Sequence, residues 1–106
     1  MAFAAVGLAS GLAWANPNDA VTGLEALAER IGDVPTGSGV AVGQVETATS
    51  SGSYAPDENA GQFAGKTIIE SSGPSGASSH ATQVSKDLFG LARSIAPGID
   101  KAYIYE

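Results

Sequence analysis

The stretch KTIIESSGPSGASSHATQVSKDLFGLARSIAPGIDKAYIY, residues 66–105, places a helix-spaced run between two short apolar ones. KTIIE (66–70) and KAYIY (101–105) are of strand type, each bounded by Ser, Gly, Pro or Asp. SSGPSGASS (71–79) is a Ser/Gly loop. From Ser79 to Arg93, Ala81, Val84, Leu88 and Leu91 recur at helical spacing, with Ser78 or Ser79 as the cap. Gly90 is expected to weaken this helix without breaking it, and Ala96-Pro97-Gly98 to stop it. Strand, helix, strand is a βαβ unit, and its two strands must run parallel.

Upstream, VAVGQV (40–45) reads as another strand, ending in Glu46. It is mostly apolar rather than alternating, as a strand covered on both faces would be. NPNDAVTGLEALAERIGD (16–33) predicts a helix over 19–31, capped by Asn18 or Asp19 and stopped by Gly32. Its apolar stripe is Val21, Leu24, Leu27 and Ile31. DVPTGSG (33–39) is a connector broken by Pro35, Gly37 and Gly39. Residues 47–64 are small and polar and read as a long loop. Its Asp57, Glu58 and Asn59 lack the spacing of a calcium loop and read as a solvated turn. The expected fold is α/β, a three-layer parallel sheet of which three strands and two helices are present. The 79–93 helix should lie on one face, with the 19–31 helix packed nearby. Marginal stability is expected, because the outer strand has no partner.

Composition narrows the function classes. The chain has 106 residues and a net charge of −6, so it lacks the basic surface that nucleic acid or anionic lipid requires. With no cysteine and one histidine it offers no disulfide framework, no thiolate and no ligand cluster for a metal, and no cofactor is expected. MAFAAVGLASGLAWA (1–15) is uncharged and apolar and ends on Ala13-Trp14-Ala15, a small-x-small pattern. It is shorter than the roughly twenty residues of a membrane span. Although it lacks a leading Lys or Arg, it reads as a signal peptide cleaved after Ala15, giving a secreted or periplasmic chain that begins at Asn16; the alternative is a buried N-terminal helix. The division is then signal peptide 1–15, helix and connector 16–38, and a partial α/β domain 39–106.

In parallel sheets, sites form at the carboxyl ends of the strands. Glu46 ends the first strand, and His80 opens the helix after the second. A lone histidine at a helix start is more often structural or merely exposed than catalytic. If those two strands are neighbours, however, a carboxylate and an imidazole emerge at one edge.

GSGVAVGQVE (37–46), followed by SSHATQVSKDLFGLARSIAPGIDKAYIYE (78–106), resembles the N-terminal half of the subtilisin-like serine proteases, the subtilases. In that family a strand of type G-V-x-V-A-V-x-D ends in the triad aspartate, and a helix opened by H-G-T-x-V-A carries the triad histidine. A G-V-A-P-x-A segment leads into the next strand. Val40 to Val45 matches the strand, with Glu46 at the aspartate position. His80, Thr82 and Val84 match the helix opening, and Ile95-Ala96-Pro97-Gly98 matches the later segment. The resemblance covers roughly residues 36–105. It departs at Glu46, at Ala81 after the histidine, and at Ser85-Lys86 in place of Ala-Gly. Either carboxylate accepts the histidine Nδ1–H and stabilises the imidazolium, and Glu serves in serine triads on other folds.

The resemblance implies peptide-bond hydrolysis with Glu46 and His80 as catalytic residues. It places the nucleophilic serine in a G-T-S-x-A motif, and the oxyanion asparagine elsewhere, both beyond the third strand. The serines here lie mostly in the loops 49–53 and 71–79, outside any such motif; Ser75, in GPSGAS, is the nearest lookalike. The expected function is an N-terminal piece of a subtilase, inactive alone, with a polypeptide substrate or the remainder of a protease domain as partner. The alternatives are a non-catalytic secreted α/β domain binding a peptide or partner chain, and an unrelated α/β domain with chance matches.

Overall fold

The computed structural model describes residues 19–92 and 94–106. The signal-peptide reading of residues 1–15 and its cleavage site lie outside them. The elements run α1 (Asp19–Thr22), α2 (Leu24–Ile31), β1 (Ala41–Val45), a 3-10 turn (Gly61–Phe63), β2 (Thr67–Glu70), α3 (Ser79–Phe89) and β3 (Lys101–Tyr105). The three strands form one parallel sheet in the order β1-β3-β2. β1 and β2 are therefore not neighbours, and the latest strand lies between the two earlier ones. In register, Val42, Ala102 and Ile68 share one row, and Gln44, Ile104 and Glu70 the row two residues on.

Alternation sends these even-numbered residues to one face of the sheet. Ala102 and Ile104 are buried there with Tyr54, Ala55, Phe63, Phe89 and Ile99, and Val42, Ile68 and Leu88 pack against that cluster. Phe63 and Phe89 meet at 5.5 Å between ring centroids, in a tilted contact. The opposite face is more open: Val45 is 76% exposed, Tyr105 is 42% exposed and Gly43 is exposed, while Ile69 and Tyr103 are half-buried. The expected cover on both faces of β1 is thus absent among the described residues. They make two layers, a sheet and α3, rather than three.

The 19–31 segment departs from expectation twice. Gly23 takes φ 80°, in the left-handed region, and separates α1 from α2. The stripe also covers no core: α2 buries no residue, and Val21, Leu27 and Ile31 are exposed. What holds the connector is instead its far end. Gly98 N–H donates to Thr36 O at 2.8 Å, and a Cβ at Gly98 would meet Thr36 Oγ1 and stand 2.9 Å from Ser38 N. Only glycine permits that approach.

α3 ends four residues earlier than the spacing predicts. Gly90 leaves the helix in an extended conformation (φ −62°, ψ 155°). The chain then doubles back, and Ile95 and Ala96 N–H donate to Asp87 and Leu88 O, both at 3.0 Å. Leu91 is left exposed. The buried stripe of α3 is Ala81, Ser85 and Phe89, at i, i+4 and i+8, with Val84 and Leu88 half-buried beside it. The 47–64 segment is a loop, yet it contributes Tyr54, Ala55 and Phe63 to the core. None of the described helices is long and apolar enough to cross a membrane.

Candidate functional site

Glu46 follows β1 directly, and its N–H extends the ladder by donating to Tyr105 O at 2.8 Å. Alternation along 42, 44 and 46 turns its side chain towards α3. The start of that helix is held firmly. Ser78 caps it by accepting from Ala81 N–H at 3.3 Å, while its own N–H donates to Ala55 O at 2.7 Å. Thr82 Oγ1 donates to Ser78 O at 2.7 Å and accepts from Asp57 N–H at 2.8 Å. His80 therefore projects from a fixed helical turn.

The two side chains meet, with His80 Nε2 standing 3.6 Å from Glu46 Oε2. The pair is asymmetric in its solvation. The Glu46 side chain is 5% exposed and that of His80 is 77% exposed. Their meeting does not depend on neighbouring strands: β3 lies between β1 and β2, and α3 crosses back over β3 to reach the β1 edge. At 3.6 Å the contact is an ion-pair approach rather than a hydrogen bond. The nitrogen presented also differs from the triad pattern, in which Nδ1–H faces the carboxylate and Nε2 stays free for the nucleophile. That role requires the exposed ring to turn.

Behind Glu46 lies a polar chain that the sequence reading missed. Gln44 Nε2 donates to Glu46 Oε1 at 2.7 Å and approaches Ala81 O at 3.4 Å, while Ser85 Oγ donates to Gln44 Oε1 at 2.9 Å. All three side chains are buried. Two signals were present: 42, 44 and 46 alternate onto one face, and Ser85 sits midway between Ala81 and Phe89 at helical spacing.

Ser75 is engaged elsewhere. Its Oγ accepts from the N–H groups of Tyr54 (2.7 Å) and Ala55 (3.0 Å) and donates to Gly76 O (2.7 Å), and its own N–H donates to Glu70 Oε2 at 2.8 Å. It ties the 54–55 loop to the 71–77 loop, where Tyr54 also donates its hydroxyl proton to Gly73 O. Asp57, Glu58 and Asn59 line a shallow acidic depression of about 480 Å³ with Pro56, Glu70, Ser75 and Ala77. Neither Glu46 nor His80 lines it, and Asp57 Oδ1 accepts from Asn59 N–H at 3.0 Å, which closes the expected turn. Among the described residues no group of three or more His, Asp or Glu side chains is placed to hold a metal ion.

The segment before β3 is fastened by Lys66, whose Nζ donates to Pro97 O (2.8 Å) and Ile99 O (2.5 Å). Burial lowers the Lys66 pKa below the ordinary lysine value, against a smaller raising influence from Asp100. This fastening lies at the amino ends of the strands, away from Glu46. Comparison with protein-family models, curated proteins and solved structures gives no match for this chain.

Proposed function

We propose that residues 39–106 carry the carboxylate–histidine pair of a subtilisin-like serine endopeptidase. Glu46 orients His80 and stabilises its imidazolium, while the nucleophilic serine and the oxyanion donors come from polypeptide outside these residues. The observation that supports this most is the approach of Glu46 and His80 at the carboxyl edge of a parallel sheet. The Asp-to-Glu difference is compatible with it, since the longer side chain still reaches the ring. Ser75, Ser78, Ser85 and Ser94 make hydrogen bonds away from the ring, which supports a nucleophile supplied from elsewhere. An acid–base pair without nucleophile or oxyanion donors hydrolyses peptides poorly.

The test is reconstitution. The chain alone is expected neither to cleave a peptide nor to take up a serine-directed phosphonate. Supplied with a subtilase C-terminal half bearing the serine and asparagine segments, it should gain peptidase activity that His80→Ala abolishes. Activity indifferent to His80→Ala, or phosphonate labelling of a serine in the chain alone, contradicts the reading.

A second reading is a non-catalytic exported domain that binds a peptide or partner chain. It draws support from the open face around Val45 and Tyr105, which offers a peptide or partner chain an apolar surface to cover. Export itself is proposed from residues 1–15, and a mature N-terminus at Asn16 on sequencing is its check.

A further inference from the structure

Gln44 is the penultimate residue of β1, with its side chain on the core face in the same row as Ile104. A primary amide is costly there unless its donors and acceptor are matched. Its surroundings allow one orientation only. Glu46 Oε1 and Ala81 O can only accept, so the NH₂ group faces them, at 2.7 and 3.4 Å. The amide oxygen then needs a donor, and Ser85 Oγ, fully buried on α3, supplies it at 2.9 Å. Hydrogen bonding thus runs in one direction, from α3 through Gln44 into the Glu46 carboxylate. With Oε1 held from behind, Oε2 is the oxygen left to face His80.

The geometry points to Gln44, seated by Ser85, as the positioning residue that fixes the Glu46 carboxylate towards His80. This deepens the peptidase reading and rests on it for its catalytic meaning. Glutamate has three side-chain torsions and would otherwise sample rotamers that turn both oxygens away from the ring. A bridge from strand to helix also locks the distance between the element carrying Glu46 and the element carrying His80. A glutamine that merely filled core volume would need no directional bond to either.

The test reads the ¹⁵N shifts of the His80 ring at one fixed pH in the whole chain, without reference to catalysis. Glu46→Gln sets the shift that marks a lost carboxylate. Gln44→Leu is expected to move the ring shifts most of the way to that value, and Ser85→Ala part of the way in the same direction. Ser85→Ala removes one oxygen only, and so covers the case in which Gln44→Leu does not fold. Ring shifts at wild-type values in folded Gln44→Leu, or in Ser85→Ala where Gln44→Leu does not fold, overturn the positioning role and leave the Glu46–His80 pair standing. Ring shifts unmoved in Glu46→Gln remove the pair itself, and with it both the positioning role and the peptidase reading.

Discussion

Ser75 and Lys66 show how polar side chains in this chain serve the backbone. Ser75 Oγ satisfies two N–H groups at once, so Ser75→Ala should cost roughly 1–3 kcal/mol of stability. Urea unfolding measures the loss, and the ring shifts of His80 should stay at their wild-type values. For Lys66 the sign of the pH dependence follows from burial. Its folded pKa lies below the ordinary lysine value, so above the folded pKa the unfolded chain binds the proton more tightly. Stability therefore rises with pH from the folded pKa up to the ordinary value. The neutral amine still has two N–H bonds for Pro97 O and Ile99 O. Urea midpoints followed into alkaline solution should show this rise in the wild type and lose it in Lys66→Met. A larger rise in the variant would contradict the assignment. Glu46 and His80 were legible as candidates because each ends or begins an element at the strand carboxyl edge. Gln44 and Ser85 were missed although their spacing puts them on the core face, because a local pattern does not show which partner satisfies a buried polar group.

At the scale of elements, Gly90 separates two descriptions of the same sequence. Were residues 79–93 a continuous helix, Gly90→Ala would stabilise it by about 1 kcal/mol through helix propensity. In the folded chain a Cβ there would stand 2.6 Å from Lys86 O and 3.1 Å from Gln62 Oε1. Gly90→Ala is accordingly expected to destabilise by about 1–3 kcal/mol, and a raised thermal midpoint would count against this helix end. The three strands and α3 were readable from apolar runs and spacing, since each pattern is local. Strand order was not. Nothing in KAYIY marks it as the central strand; that Ala102 and Ile104 are buried appears only in the folded chain. The amphipathic pattern of 19–31 correctly indicated helix, but a pattern says only that a stripe is apolar, not that anything lies across it. Leu27→Ser and Ile31→Ser should therefore change stability by no more than about 0.5 kcal/mol, as measured by denaturant unfolding.

At the scale of the molecule, the described residues cover the sheet on one face and leave apolar surface on the other. Val45 and Tyr105 form an exposed apolar row at the end of β1 and β3, paired in register with each other. Sedimentation at rising concentration should show self-association that Val45→Lys suppresses. A chain monomeric at all accessible concentrations would mean that this row is too small to drive association. The strand order has a further consequence in time. Among the described residues both β1 and β2 pair only with β3, so within this sheet neither has a partner until residues 101–105 leave the ribosome. Every pairing in the sheet is consequently long in sequence, and folding is correspondingly slow. During synthesis the earlier strands therefore wait without the partner that completes their hydrogen bonding. Nascent chains stalled before Lys101 should be degraded rapidly by a brief protease pulse, whereas release of the complete strand should bring protection to all three at once.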